Sequence, residues 1–266
     1  MTERKNRPSL FSYVLDLLGR DIVQGKFLAT GGSLPREQDL CDYLGASRTV
    51  VREVTRVLAE KGMLRATPKI GIRVTPETEW NVMDIDVLKW IWQYGRRENF
   101  VRDFLEFRLI FEPMASFQAA VRATQAQRQE ILDLYGKLLR SNETLLAGGD
   151  HAYSISCDIA FHSAIYKASG NRMLSYLGSM ISEMMARQVR ETTSAPGQFG
   201  LGLPLHEKVA QAIAAGDASV AHHYSQMLVR MPYEDYLTST ASNAPQLGIF
   251  SVRTPEMPLL TLNEGR

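Results

Sequence analysis

Apolar positions in residues 1–75 recur every three or four residues, which predicts helices at 10–24, 36–44 and 48–61. The positions are Leu10, Val14, Leu17, Leu18 and Ile22, then Leu40 and Leu44, then Val50, Val51, Val54, Val57 and Leu58. Gly45 lies between the second and third helices, and Ser47 is suited to cap the third because its hydroxyl can accept from the free amides of the first turn. Two helices joined by so short a turn predict a helix-turn-helix.

Two short strands are predicted after the third helix, at 63–65 and 72–74. The residues between them, 67–71, include Pro68 and Gly71 and are typical of a turn. A hairpin directly behind a helix-turn-helix makes the unit winged.

The rest of the chain shows no strand alternation and is predicted to be helical. The segments are 84–94, 100–123, 126–147, 151–169, 171–192, 204–215 and 217–238. We therefore expect a mostly α protein, with an N-terminal winged helix-turn-helix (1–75), a linker (76–83) and a C-terminal all-α helical bundle (84–240). Residues 241–266 lack an apolar pattern and contain three prolines, which predicts a flexible tail.

Composition restricts the class of protein. Hydrophobic residues make up 45% and charged residues 22% of the chain, as in an ordinary globular protein. No segment approaches the roughly 18 consecutive apolar residues of a membrane helix, and the first eight residues lack the apolar core of a secretory signal. Cys41 and Cys157 are too distant in sequence to suggest a disulfide framework. We expect a cytoplasmic protein without a membrane partner.

Positive charge is concentrated at the N-terminus. The formal charge is +5 over residues 1–75 and −4 over the remainder, which suggests that the first part meets a polyanion. Arg48, Arg52 and Arg56 follow one another at i, i+4 and i+8 on the third helix, away from its valine face. In a major groove, Arg48 and Arg52 could bond guanine while the Ser47 and Thr49 hydroxyls hold phosphates.

The same arginine row has a simpler interpretation. Solvated helix faces often carry such residues, paired with a glutamate such as Glu53 or Glu60, and the row alone favours that interpretation. The combination of two helices, a glycine turn, a capping serine, a hairpin and local positive charge favours binding to DNA. Lys69, at the tip of the hairpin, could reach an adjacent groove or phosphate.

Asp158 and His162 are the first candidates for metal ligands. Their i, i+4 spacing places both side chains on one face of a predicted helix, as two ligands of one divalent ion require. His206 opens a later helix and could be a third ligand, while of the adjacent His222 and His223 at most one could join. A surface pair of Asp158 with His162, or histidines that are merely hydrogen-bonded, explains the spacing equally well.

Arg108 lies in an otherwise apolar helical segment, so its charge needs a partner. Glu112, one turn later, is the simpler partner and the one that the sequence favours. The carboxylate of a small ligand is the alternative, because a guanidinium group matches it in shape.

The N-terminal motifs resemble the GntR family of bacterial transcription regulators. The resemblance rests on SLPRE at 33–37, LC at 40–41, LGASRTVVRE at 44–53, L at 58 and KG at 61–62. It implies that the following residues bind operator DNA: Arg36, Ser47, Arg48, Thr49, Arg52, Lys69 and Gly71. Gln38 replaces an arginine of the fatty-acid-responsive members, which implies that a different base sequence is read.

The C-terminal part is similar to the FCD effector domain of the FadR subfamily. The motifs that carry the similarity are FRL at 107–109, Glu112, AA at 119–120, DIAFH at 158–162, SGN at 169–171, His206, AI at 212–213 and GD at 216–217. The resemblance implies that Asp158, His162 and His206 hold a divalent metal, Zn²⁺ or similar, and that Arg108 binds an organic-acid effector. Leu228 replaces a further histidine ligand, so the site has three protein ligands with open positions, or no metal.

The segment joining the domains resembles that of regulators of galactonate utilisation, in Trp80, Asn81, Asp84, 86–88 and Trp90. By analogy it implies a sugar-acid effector such as an aldonate.

Three functions remain open. The first is a homodimeric transcription regulator, expected to be a repressor, with two recognition helices on a palindromic operator. The second is a metal-dependent enzyme that uses Asp158, His162 and His206, although no nucleophile motif or general base supports it. The third is an architectural DNA-binding protein whose helical domain only dimerises.

Overall fold

The computed structural model describes residues 9–67, 71–95, 97–192 and 199–240, and the fold over these ranges is almost entirely helical. The helices are α1 (Leu10–Val23), α2 (Glu37–Leu44), α3 (Arg48–Glu60), α4 (Ile85–Tyr94), α5 (Arg97–Arg122), α6 (Gln125–Leu146), α7 (His151–Ala168), α8 (Arg172–Thr192), α9 (Leu203–Ala215) and α10 (Ala218–Thr240). The strands are β1 (Leu64–Thr67) and β2 (Gly71–Val74), and short 3-10 helices lie at Leu28–Thr30, Glu77–Glu79 and Phe199–Gly202. The expected fold class is confirmed, and every predicted helix matches to within three residues at each end.

The N-terminal unit is a winged helix-turn-helix. Gly45 ends α2 with a φ of +61°, a left-handed conformation that glycine adopts without steric penalty. Ser47 then caps α3, since its Oγ accepts from the Val50 amide at 3.4 Å. Strands β1 and β2 pair antiparallel, with Leu64 opposite Val74. The predicted position of Lys69 and the predicted tail at 241–266 lie outside the described residues.

Helix α4 contributes to two hydrophobic cores. Val87 and Trp90 pack with the apolar residues of α1 to α3, whereas Leu88 and Trp92 pack with those of the helical bundle. The Trp90 indole Nε1 also donates to Asp16 Oδ1 of α1 at 2.8 Å. The division of the chain into domains at 76–83 stays a prediction, but α4 joins the two parts through buried side chains rather than as a loose tether.

A lysine at the end of α3 reinforces this junction. Lys61 Nζ lies 2.7 Å from Asp84 Oδ2 and 3.0 Å from Asp86 Oδ2. Burial alone would raise the pKa of Asp84, but the hydrogen bond from Lys61 holds it below its usual value. The junction therefore combines apolar packing with a partly buried ion pair.

The contact between α1 and α4 predicts a strong effect at Gly19. A Cβ at this position would lie 2.6 Å from three atoms of the Trp90 ring. We expect Gly19→Ala to lower the free energy of unfolding by about 1–3 kcal/mol through overpacking, measured by urea denaturation. Gly136→Ala is the matched control, because only the mobile end of Arg140 lies near its Cβ, at 3.4 Å. The control should be neutral or up to about 1 kcal/mol stabilising. Equal stability of the two variants would contradict the packing described for Trp90.

Helices α5 to α10 form the bundle. Helix α7 packs against α5, α6 and α8, α9 packs on α6 and α10, and α10 runs along α5. Because of this central position, ten of the eighteen residues of α7 are buried, and polar side chains on it can be held away from water. Within the described ranges, no helix combines the length and the apolar character needed to cross a bilayer.

Candidate DNA-binding surface and candidate metal centre

The arginines predicted to meet DNA lie on the exposed side of α3. The side chains of Arg48 and Arg52 are 66% and 72% exposed. Val51, Val54 and Leu58 of the same helix are buried in the N-terminal core. The amphipathic pattern therefore turns the arginines outwards, where a duplex can reach them.

These arginines are held by α2 rather than by their own helix. Arg52 Nε donates to Glu37 Oε2 at 2.8 Å, and Arg48 Nη2 donates to Gln38 Oε1 at 2.7 Å. The simpler interpretation, pairing with a glutamate, applies to Arg52, but the glutamate is Glu37 of α2 rather than Glu53 or Glu60, because the fold brings α2 alongside. Arg56 pairs with Glu60, at 3.3 Å. The hydrogen bond from Arg52 holds the pKa of Glu37 below its usual value. Glu37 is therefore a carboxylate that orients Arg52 when the protein is not bound to DNA.

The other predicted DNA contacts surround the same surface. Arg36, Ser47, Thr49 and Gly71 are all exposed. A groove of about 280 Å³ runs between α2, α3 and β2, and Arg36, Arg52 and Gly71 are among its lining residues. Gly71 has a φ of +105° and an open space beside its Cα, so a phosphate backbone could approach it closely.

The three predicted metal ligands converge inside the bundle. Asp158 and His162 project from α7 and His206 from α9, and all three are buried. One ligand atom of each residue lies within 4.8 Å of the others. His206 Nε2 lies 3.0 Å and His162 Nε2 3.8 Å from Asp158 Oδ1. Within the described ranges the cluster includes neither His222 nor His223.

Each histidine of the cluster has its other ring nitrogen bonded to an acceptor. His162 Nδ1 lies 3.0 Å from Glu112 Oε2, and His206 Nδ1 lies 2.8 Å from the Gly202 carbonyl oxygen. Since a carboxylate and a carbonyl can only accept, both Nδ1 atoms carry hydrogen. In a neutral imidazole, Nε2 then carries a lone pair. The Nε2 atoms of both histidines face Asp158 Oδ1. Such a set of lone pairs is unfavourable unless protons or a cation lie among them, so the donors fit a divalent metal.

A buried ion pair continues this network. Arg108 Nε donates to Glu112 Oε1 at 2.5 Å, and both residues are almost completely buried. Burial would raise the pKa of Glu112, but the charge of Arg108 and the hydrogen bonds from His162 and Arg108 lower it to about 2. The simpler partner of Arg108 is therefore present. The pair lies beside the cluster, because Glu112 is bonded to Arg108 and to His162 together.

The bridge from Glu112 to His162 was not predicted from the sequence. In the sequence, Glu112 is recognisable as the i+4 partner of Arg108 and as part of the FCD motifs, but not as a partner of His162, because the two residues of the bridge lie on α5 and α7, fifty positions apart. Sequence spacing within one helix carries no signal for such a contact, which depends on how the two helices pack. The Gly202 carbonyl that orients His206 was missed for a similar reason, since it is a backbone group.

Leu228, at the position where the resemblance implied a further histidine, is buried. A Cβ at Gly202 would meet Leu228 Cδ1 at 3.3 Å and His206 Cε1 at 3.4 Å. Leu228 and His206 therefore flank the same glycine. An apolar side chain stands beside the cluster on this side, and the donor set consists of Asp158, His162 and His206.

Comparison with known proteins gives matches over both parts of the chain. Residues 11–74 match the family described as bacterial regulatory proteins, gntR family, and residues 103–230 match the FCD domain. The uncharacterised HTH-type transcriptional regulator YieP of Escherichia coli K12 is 32% identical over 83% of this chain and 93% of its own length. The galactonate operon transcriptional repressor of the same strain is 28% identical over 80% of this chain and 90% of its own length.

A solved structure shares the fold. It is titled as Lar, which controls expression of the Listeria monocytogenes agr system, and it aligns with a TM-score of 0.58 at 14% identity, over 88% of this chain and 99% of that one. The winged helix-turn-helix, the helical bundle and the matches over both agree, and the chain belongs to the GntR family of bacterial transcription regulators with an FCD domain.

Proposed function

We propose that this regulator is a repressor whose affinity for operator DNA is changed by a small organic acid bound beside the Asp158–His162–His206 cluster. The observation that carries the proposal is the arrangement of two buried histidines, each with Nδ1 bonded to an acceptor and Nε2 facing Asp158. The galactonate operon repressor supports a sugar acid as effector. Family membership and the names of the relatives indicate a transcription regulator rather than an enzyme.

The metal would be held by Asp158 Oδ1 and the Nε2 atoms of His162 and His206. Two imidazoles and one carboxylate suit Zn²⁺ or a similar divalent ion. Such an ion, when bound, supplies a positive charge and open coordination positions for ligand oxygens. Glu112 and Gly202 fix the ring orientations of the two histidines, an arrangement that commonly strengthens metal binding.

Arg108 would bind the carboxylate of the acid. Its hydrogen bonds within the described residues come from Nε and Nη2, and both go to Glu112. Nη1 is therefore available to a ligand, and Glu112 holds the guanidinium group in place. A carboxylate entering here meets one positive group that is already oriented, which reduces the entropy lost on binding.

Operator binding would use two copies of the chain. Recognition helices of a homodimer would meet successive major grooves of a palindromic site, with Arg48 and Arg52 at the bases. The acid can shift operator binding only if its affinity differs between the two dimer geometries.

Thermal unfolding tests whether the helical domain binds an acid. We expect D-galactonate, added to Zn²⁺-loaded protein at about a hundred times its dissociation constant, to stabilise the fold by about 2.7 kcal/mol. Galactitol is the matched control, because it keeps the polyol chain and lacks the carboxylate that Arg108 would bind. If no aldonic acid in a panel shifts the midpoint, the helical domain serves dimerisation alone and the proposal fails.

A further inference from the structure

A tyrosine hydroxyl on α7, the helix that carries Asp158 and His162, has no hydrogen-bond partner among the described residues. Tyr166 is 2% exposed, and its Oη is a buried polar atom to which no residue in the described ranges offers a hydrogen bond. A hydroxyl buried in this way loses its bonds to water without replacement, an unfavourable state that native proteins seldom retain without a reason. The lone hydroxyl therefore needs an explanation beyond packing.

The position of Tyr166 places it next to the candidate ligand site. Asp158, His162 and Tyr166 follow one another at i, i+4 and i+8 on α7, so their side chains share a helix face. Each step of four residues advances about 6 Å along the axis. The Glu112 carboxylate and the Arg108 guanidinium both act electrostatically on the Tyr166 hydroxyl. The row of metal donors thus continues into a phenol that lies near the Arg108–Glu112 pair.

Packing holds the ring in this position. A Cβ at Gly178 of α8 would lie 2.4 Å from Tyr166 Cβ and 2.5 Å from Cγ. The ring therefore lies directly on the backbone of α8, and its hydroxyl has little freedom to seek another partner. Burial and the Glu112 charge raise the pKa of Tyr166, so the hydroxyl is neutral and can donate as well as accept.

The groups of the site would bind different parts of a ligand. A divalent metal held by the cluster would accept electron pairs and Arg108 is positive, so both would suit a carboxylate, as the proposed function requires. A neutral phenol adds a hydrogen bond to an oxygen elsewhere on the same molecule. A site with such a fixed polar group discriminates strongly, because an analogue without that oxygen leaves the group unpaired.

We propose that Tyr166 is a specificity-determining residue that hydrogen-bonds the 2-hydroxyl of the effector, next to the carboxylate on Arg108, so that the site selects 2-hydroxy acids over the corresponding 2-deoxy acids. This inference rests on the proposed function, since it assumes that an acid binds beside the cluster. It adds which hydroxyl of that acid is recognised and the residue that recognises it.

Calorimetric titration of the Zn²⁺-loaded full-length protein tests the inference. The probes are D-galactonate and 2-deoxy-D-galactonate, and the variant is Tyr166→Phe, which removes only the hydroxyl. We expect the variant to bind D-galactonate about tenfold more weakly and to bind the deoxy acid as the wild type does. Its ligand-free midpoint of unfolding should stay unchanged or rise, because an unpartnered polar atom is removed. If Tyr166 only supported the fold, its replacement would lower the unfolding midpoint whenever it lowered the affinity.

Tyr135→Phe is the matched control. Tyr135 belongs to the same domain and interacts with Glu207 rather than with the cluster, so affinity for both acids should be unchanged. If Tyr166→Phe binds D-galactonate as tightly as the wild type, the inference is overturned and the proposed function survives. If the wild type binds neither acid, the sugar-acid function fails and this inference fails with it.

Discussion

Arg52→Ala is expected to weaken operator binding by about 10- to 100-fold, which corresponds to the loss of about 1–3 kcal/mol for one bidentate contact to a base. Arg52 is 72% exposed on the outer face of α3 and is oriented by Glu37. Its removal also leaves the Glu37 carboxylate without its close partner. The negative charge of Glu37 would then repel the phosphates of the duplex. The measurement is fluorescence anisotropy with a duplex that the wild-type protein selects from a random library, at fixed salt.

Two further variants make this prediction specific. Arg230→Ala removes an equally exposed arginine, paired with Glu234 on α10, and should leave affinity unchanged. Glu37→Gln removes the carboxylate that orients Arg52 but keeps Arg52 itself, so binding should weaken far less than in Arg52→Ala. If Arg52→Ala and Arg230→Ala bind the selected duplex equally well, α3 is not the recognition helix.

Asp158→Ala is expected to abolish metal binding by the helical domain. We expect the wild type to retain about one Zn²⁺ per chain after dialysis, measured by elemental analysis, and the variant to retain none, because Asp158 Oδ1 is the atom that both histidines face. Free Zn²⁺ at about a thousand times its dissociation constant stabilises the wild type by about 4 kcal/mol. For a chain of this size that energy raises the unfolding midpoint by about 8–16 °C, and the variant should lose this shift.

The control for the metal prediction is His223→Ala. His223 is exposed on α10 and lies outside the cluster, so metal content and thermal shift should match those of the wild type. A wild-type protein that holds no divalent metal after reconstitution, or an Asp158→Ala variant that still holds it, would show that the three residues are a hydrogen-bonded group and not a metal centre.

Local periodicity was sufficient to predict most of the fold. Apolar residues at three- and four-residue spacing located each α-helix of the described ranges, because each helix buries one face and the pattern records that face. The three short 3-10 helices were not predicted. The spacing of Asp158 and His162 likewise placed both on one side of α7. His206 joined them only by resemblance to a family, since nothing in the spacing relates α9 to α7.

The contacts that were missed join residues far apart in the chain. Glu37 orients Arg52 from α2, Trp90 donates to Asp16 across the junction, and Glu112 bonds His162 across two helices. Each depends on the angle and distance at which helices pack, which a pattern within one helix does not encode. The buried hydroxyl of Tyr166 is of the same kind, because only the packed structure shows that no acceptor of the described residues reaches it.

Anisotropy of the labelled operator duplex, titrated with D-galactonate in the presence of Zn²⁺, tests the central claim most directly, since it reads the DNA surface and the buried cluster together. The account predicts that the acid releases the wild-type protein from the duplex, while Asp158→Ala binds the duplex and does not respond. Operator binding that stays constant for the wild type across a full panel of aldonic acids would contradict it.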